Sequence, residues 1–271
     1  MKSLSECYTL GNGVKIPCVG FGTWQAPDGE VAVAAVREAI AAGYRHIDTA
    51  EMYENEVSVG RAVRESGVAR SELFITSKLA NPAHGYDATV AAFEGTMSKL
   101  GLDYIDLFLV HWPNPAATRD IWKEANAGTW RAFEEFYASG RARSIGVSNF
   151  RPHHFDALLE TAKVTPHVNQ ILLCPGETQD SVRAYCDARN ILLEAYSPLG
   201  TGRALTDPVL LSIAEKYSKT PAQVCINWSL RHGWLPLPKS VTPSRIRENA
   251  DVFGFDLPDD DDAAIASLDL G

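Results

Sequence analysis

The sequence predicts one domain spanning residues 1–271, a (β/α)8 TIM barrel with an N-terminal β-hairpin closing its bottom. Three observations carry that expectation. Short apolar runs bounded by turn residues alternate with longer segments of helical periodicity, the rhythm of βαβ units and a parallel sheet. Eight such runs occur in 271 residues, or about 34 residues per strand–helix unit, which suits a closed barrel better than a doubly wound sheet of fewer units. No low-complexity segment, charge block or Pro/Gly/Ser linker interrupts the chain to mark a domain boundary.

Taken in order, "CYTLGNGVKIP" (7–17) places Asn12-Gly13 between two extended runs, a hairpin signal. The strand candidates are "CVGFG" (18–22), "RHIDT" (45–49), "LFITSK" (73–78), "IDLFLVH" (105–111), "RSIGVS" (143–148), "HVNQI" (167–171), "ILLEAYS" (191–197) and "WLPLPKS" (234–240). Between them, residues 28–43 read as an amphipathic helix with Asp28 as its cap and Gly43 as its stop, and residues 87–101 as another ended by Gly101. Thr220, Pro221 and Gln223 form a capping box for the helix over 220–233. Near the end, "DLPDDDD" (256–262) sets four aspartates after a proline, as expected for a helix first turn where anions complement the macrodipole.

Composition narrows the function. Hydrophobic residues make up 45% and charged residues 22%, which argues against disorder, and no apolar run approaches the ~20 residues of a membrane span. The N-terminus lacks an apolar signal region, so a cytoplasmic location is expected. The formal net charge of −9 disfavours nucleic acid and anionic lipid as partners. Five scattered cysteines without a C-x-x-C argue against a disulfide framework or a zinc site, and His153 and His154 are expected at the surface rather than on a metal.

In such a barrel the chemistry gathers at the C-terminal ends of the strands. Three consecutive runs deliver ionisable residues there, Asp48, Lys78 and His111, with Tyr53 in the loop after the second run. Neighbouring parallel strands lie about 4.8 Å apart, so the four side chains can converge. A tyrosine of ordinary pKa about 10 is a poor proton donor near neutral pH unless a nearby cation favours its phenolate. Lys78 can be that cation, Asp48 can hold it charged, and His111 can orient a carbonyl oxygen towards Tyr53. Glu51, between Asp48 and Tyr53, has no assigned role. This set transfers a proton to a carbonyl but supplies no hydride, so a reduction needs a cofactor.

The dinucleotide fingerprint G-x-G-x-x-G is absent, as are G-x-x-x-x-G-K-[ST], H-E-x-x-H and G-x-S-x-G. An alternative anion site lies in "LPKSVTPSRIREN" (237–249), where Lys239 and Ser240 close the last run and Thr242-Pro243 open a helix.

These segments resemble the aldo-keto reductase family, from "GFGTW" (20–24) through "GYRHIDTAEMYENE" (43–56), "LVHWP" (109–113), "GVSNF" (146–150) and "AYSPLG" (195–200) to "LPKSVTPSRIREN" and "VFGFDL" (252–257). The resemblance implies a metal-free reduction of aldehydes or ketones by NADPH on a monomeric barrel, with Tyr53 as general acid, Asp48 and Lys78 tuning it and His111 orienting the small-molecule carbonyl. It further implies that Ser148, Asn149 and Gln170 hydrogen-bond the nicotinamide amide and that Tyr196 stacks on its ring. Gly22, Thr23, Trp24 and Asp48 would also border the cofactor, and Ser197 and Leu199 would line the pyrophosphate. Lys239, Ser240, Val241, Thr242, Arg245, Glu248 and Asn249 would hold the adenosine end and its 2′-phosphate. Trp24, Met52 and Trp112 would form an apolar wall for substrate beside Tyr53 and His111.

One departure is visible: where many members carry His-Pro after the "NQ" strand, this chain has Cys174-Pro175-Gly176. Two other readings stay open, a barrel aldolase using Lys78 as a Schiff-base amine and a non-catalytic nucleotide-binding scaffold or redox sensor of the same fold.

Overall fold

The computed structural model describes residues 1–269. A hairpin of β1 (Cys7–Thr9) and β2 (Lys15–Pro17) opens the chain, pairing antiparallel. Eight strands follow: β3 (Gly20–Gly22), β4 (His46–Asp48), β5 (Phe74–Leu79), β6 (Ile105–Val110), β7 (Ala142–Ser148), β8 (Val168–Leu172), β9 (Leu192–Tyr196) and β10 (Leu235–Leu237). The first seven fall within a residue or two of the runs expected for them, while β10 stops at Leu237, three residues short of the expected end, so Lys239 and Ser240 lie in the loop beyond it. They pair in parallel in chain order from β3 to β10, and the Gly22 N–H donating to the Pro238 carbonyl at 3.0 Å brings the two ends of the sheet together. The (β/α)8 barrel is the observed architecture.

Between and around the strands lie α1 (Glu30–Ala41), α2 (Glu56–Glu65), α3 (Tyr86–Leu100), α4 (Trp122–Ala138), α5 (Pro152–Leu159), α6 (Asp180–Asp187), α7 (Pro208–Lys216), α8 (Pro221–Arg231), α9 (Pro243–Glu248) and α10 (Asp259–Ala266). The core is therefore double. An outer shell packs strand residues such as Ile47, Ile75, Phe108 and Ile145 against helix residues such as Val36, Val59, Phe93 and Phe133. An inner cluster of Phe74, Leu107, Leu109, Val168, Leu235 and Leu237 is joined by Leu10 and Ile16, so the hairpin plugs the barrel. The helices approach closely where side chains are small: a Cβ on Gly60 of α2 would lie 2.0 Å from the Leu100 carbonyl oxygen at the end of α3.

The expected caps hold in part. Thr220 and Gln223 make the capping box of α8, Gly101 ends α3 with φ 63°, and Asp259 to Asp262 occupy the first turn of α10, with Asp261 paired to Lys216 at 2.8 Å. Asp28 does not cap α1. Gly29 takes that position, and its N–H donates to Ser58 Oγ of α2 at 2.8 Å while Ser58 donates to Asp28 at 2.5 Å, so the cap comes from a neighbouring helix. His154 is also not a surface residue. It is 5% exposed, packs edge-on to Trp122 and Phe150, and accepts the Arg151 N–H through Nδ1 at the start of α5. Among the described residues no helix is long and apolar enough to cross a membrane.

Candidate active site

Asp48 is the last residue of β4, Lys78 the penultimate residue of β5, and His111 follows β6 directly. Parallel register sets Asp48 beside Thr76 and Lys78 beside Leu109, which carries the three side chains to one end of the barrel. Tyr53 closes a single 3-10 turn, Glu51–Tyr53, that brings the chain back over that end.

Lys78 is fully buried and its Nζ donates to Asp48 Oδ1 at 2.6 Å, the Thr49 carbonyl at 2.9 Å and the Tyr53 hydroxyl at 3.2 Å. An ammonium has three protons and no lone pair, so all three are satisfied and the Tyr53 oxygen must accept. The phenolic proton is left free to donate elsewhere. The rings of Tyr53 and His111 meet edge to face at 5.8 Å.

The electrostatics follow from burial. Desolvation would strip Lys78 of its charge, but Asp48 and Tyr53 outweigh it and hold the ammonium above its ordinary value. Desolvation raises the Tyr53 hydroxyl, and Lys78 pulls it back down. His111 is pushed down to about 3 by burial and by Lys78, so its ring is neutral and able to donate from one nitrogen. Glu51, for which the sequence offered no role, pairs with Lys99 of α3 at 3.1 Å.

Around this group the expected cofactor residues form a connected set. Asn149 donates to Ser148 Oγ at 3.0 Å and to the His111 carbonyl at 3.0 Å, and Ser148 donates to the Gln170 carbonyl at 2.7 Å. The Tyr196 hydroxyl donates to Asn149 Oδ1 at 2.9 Å, which fixes its ring. Gln170 Nε2 donates to Asp48 Oδ2 at 2.8 Å, and its Oε1 takes no hydrogen bond among the described residues. Asn149 and Ser197, immediately past β7 and β9, have φ 63° and 48°, and Gln25 past β3 has φ 59°. Non-glycine residues so constrained gather at functional sites.

Some expected residues have other duties. Thr23 is fully buried and donates through Oγ1 to the Asp48 carbonyl at 3.0 Å, bracing the loop after β3. Gly22 lies where a Cβ would come 3.4 Å from the Leu237 carbonyl. The Glu248 carboxylate accepts from Thr220 Oγ1 at 2.8 Å, tying α9 to α8. Lys239 donates to the Gln25 carbonyl at 3.0 Å. The Arg245 side chain is exposed, as are Val241 and Thr242; Ser240 and Leu199 are half-buried and Asn249 is buried. Arg245 makes no ion pair with a described residue, and with Lys239 it could meet a phosphate at the far end of an extended cofactor. Trp24, Met52 and Trp112 are 48%, 47% and 42% exposed, large apolar side chains left open at the end of the barrel that holds the tetrad.

Two buried groups went unnoticed in the sequence. Glu194 of β9 is fully buried, accepts from Gln170 Nε2 at 2.8 Å and is raised to about 8 by desolvation and then by Asp48. His46 of β4 meets Thr76 Oγ1 at 2.9 Å and is lowered to about 3 by burial and by Lys78. A glutamate in the centre of "LLEAY", a strand with apolar neighbours on both sides, was the visible signal. Cys174, in the departing loop, is 1% exposed and its thiol is raised to about 11 by burial, so it stays a thiol. Among the described residues no three His, Cys, Asp or Glu side chains are grouped to hold a metal.

A sequence model of the aldo/keto reductase family matches residues 18–270. The chain is 47% identical over 266 residues to a glyoxal reductase of Bacillus subtilis, covering 98% of this chain and 94% of that protein. Among solved structures, an aldo/keto reductase from Brucella melitensis superposes with a TM-score of 0.91 at 46% identity, covering 97% and 99% of the two chains. A variant of Gox0644 solved in complex with NADPH superposes with a TM-score of 0.90 at 40% identity, covering 99% and 94%.

Proposed function

This chain belongs to the aldo-keto reductase family, and we propose that it reduces aldehydes and ketones to alcohols, with NADPH as cofactor and Tyr53 as the general acid. Small aldehydes, α-dicarbonyls and keto sugars are the proposed substrate class. The observation that carries this reading is the hydrogen bonding of Lys78: with its three protons on Asp48, Thr49 and Tyr53, the ammonium holds the Tyr53 oxygen as an acceptor and frees its proton for a carbonyl.

Bound NADPH supplies the hydride that reaches the carbonyl carbon. Ser148, Asn149 and Gln170 would hold its carboxamide, the fixed ring of Tyr196 would present one face to it, and Lys239 and Arg245 would meet the 2′-phosphate. The neutral His111 would donate to the carbonyl oxygen and set it against Tyr53. As the oxygen gains electron density, the Tyr53 proton moves to it, and the Lys78 charge 3.2 Å away stabilises the phenolate left behind. The products are the alcohol, the oxidised cofactor and a Tyr53 phenolate that recovers its proton from solvent. Trp24, Met52 and Trp112 would shed water from the substrate's apolar side.

The glyoxal reductase named above supports the α-dicarbonyl end of this range. NADPH absorbance followed with a panel of carbonyls, for the wild type and Tyr53→Phe, tests the reading. Turnover lost in the variant with NADPH binding kept is the expected result. Equal rates would remove Tyr53 from the role, and tight NADPH binding without turnover of any carbonyl by the wild type would favour the scaffold reading.

A further inference from the structure

Behind the tetrad the barrel interior holds a second acid. Glu194 Oε2 and Asp48 Oδ2 accept from the same amide nitrogen of Gln170, each at 2.8 Å, while Asp48 Oδ1 takes Lys78 at 2.6 Å. An amide NH2 has two protons, and each is committed to one carboxyl group. A half-turn of Gln170 would set its oxygen against the Asp48 carboxylate and leave Glu194 Oε2 without its donor, so its orientation is locked, and Asp48 in turn has both oxygens fixed. An unbroken chain runs from Glu194 through Gln170, Asp48 and Lys78 to the Tyr53 hydroxyl.

The charges around Glu194 can be enumerated from each strand packed on it. From β8 it meets the neutral Gln170, and β10 sets Leu235 beside it in register. From β4 come Asp48 and the His46 ring, whose Nε2 lies 4.0 Å from Glu194 Oε1 and is held neutral by burial. From β5 come Thr76, bonded to His46, and Lys78. Lys78 is thus the one cation facing it among the described residues, and Asp48 already pairs with it. Glu194 Oε1 has no hydrogen-bond partner, nor does His46 Nδ1.

We propose that Glu194 is a positioning residue of the proton-delivery group: through Gln170 it fixes the second oxygen of Asp48, and by keeping its own proton it leaves the Asp48–Lys78 pair electrically balanced behind Tyr53. The proposal rests on the reading of Tyr53 as the proton donor. Desolvation first, and Asp48 second, raise the Glu194 carboxyl to about 8, so it is neutral at pH 7 and ionises in the mildly alkaline range. Once ionised it adds a negative charge with no cation of its own. That charge opposes the phenolate forming on Tyr53 and slows carbonyl reduction.

Two measurements test this. In the first, kcat for reduction of a small aldehyde is followed from pH 6.5 to 9.5 in the wild type, Glu194→Gln and Glu194→Leu. The amide of Glu194→Gln accepts from Gln170 and cannot ionise, so the several-fold fall in kcat with a midpoint near pH 8, expected in the wild type, should vanish while KM keeps its pH dependence. Glu194→Leu should lose kcat at every pH because Gln170 is unlocked; if it does not fold, Glu194→Gln decides. In the second, infrared difference spectra of the cofactor-free protein between pH 7 and 9.5 should show a protonated carboxylic acid disappearing in the wild type and in Tyr53→Phe, and no such band in Glu194→Gln. A midpoint in kcat that persists in Glu194→Gln, or the absence of a titrating acid band in the wild type, would overturn the proposal. The infrared result does not depend on turnover, so it separates failure of this inference from failure of the reductase reading.

Discussion

Replacing Lys78 by methionine isolates the group on which the proposed chemistry depends. The side chains have similar volume, but the change removes the fully buried ammonium that donates to Asp48, Thr49 and Tyr53. Two losses follow, and they can be separated. At the Nζ to OH distance of 3.2 Å, Coulomb's law with an effective dielectric of about 20 gives about 5 kcal/mol of preference for phenolate over phenol. If about half the charge has developed in the transition state, about 2.5 kcal/mol is lost, which is about a 10²-fold fall in kcat. The second loss is in the fold, because Asp48 keeps a buried charge with Gln170 as its remaining side-chain donor. Breaking a buried pair in this way costs about 3 to 5 kcal/mol, or about 10 °C in Tm for a chain of this size. Adding Asp48→Asn to Lys78→Met should restore part of the Tm without restoring kcat, since the orphaned charge is gone but the phenolate still lacks its cation. The assays are NADPH oxidation at saturating carbonyl and a thermal melt of each variant. A single variant that folds, binds NADPH and turns over within about threefold of the wild type would refute the reasoning.

Three further outcomes test other parts of the structure. Arg245→Ala should weaken NADPH by about tenfold or more, the loss of one charge-assisted phosphate contact, and NADH far less, as read by fluorescence titration; equal losses would contradict a 2′-phosphate role. Gly60→Ala should lower the unfolding free energy by about 2 kcal/mol or more, because the new Cβ would meet the Leu100 carbonyl and α2 must move away from α3; an unchanged urea midpoint would show that this contact relaxes freely. Stability should also fall on mild acidification: His46 is held neutral with its pKa lowered to about 3, so between its unfolded value of about 6.5 and that value the unfolded chain binds the extra proton. The resulting cost is about 2 kcal/mol at pH 5, absent above the unfolded pKa; because His111 and Glu194 also titrate differently in the folded chain, the readout is the change in denaturation midpoint between pH 7 and pH 5 in the wild type against His46→Gln, and an equal change in the two would argue against a neutral buried ring at His46.

The fold and much of the site were legible in the chain because both follow local rules. A strand buried on both faces reads as a short apolar run, and a barrel sets its chemistry where such runs end, so "RHID", "LFITSK" and "IDLFLVH" announced Asp48, Lys78 and His111. Where the sequence misled, the partner lay far away in the chain. Asp28 looked like a cap, but Ser58 from the next helix supplies it. His154 looked like surface, but Trp122 from α4 covers its ring edge-on.

By itself the sequence determined the strand order, the helix boundaries that use glycine, proline and aspartate, and the kinds of group available at the barrel mouth. These depend on neighbours a few residues apart, where periodicity and capping act. The tertiary structure alone decided that the Lys78 ammonium finds three acceptors from the β4 strand and the loop after it, and that Gln170, 122 positions beyond Asp48, bridges it to Glu194. Proton affinity in a buried site is set by which charges and donors lie within a few ångströms and by how much water is excluded, and closure of the barrel fixes both.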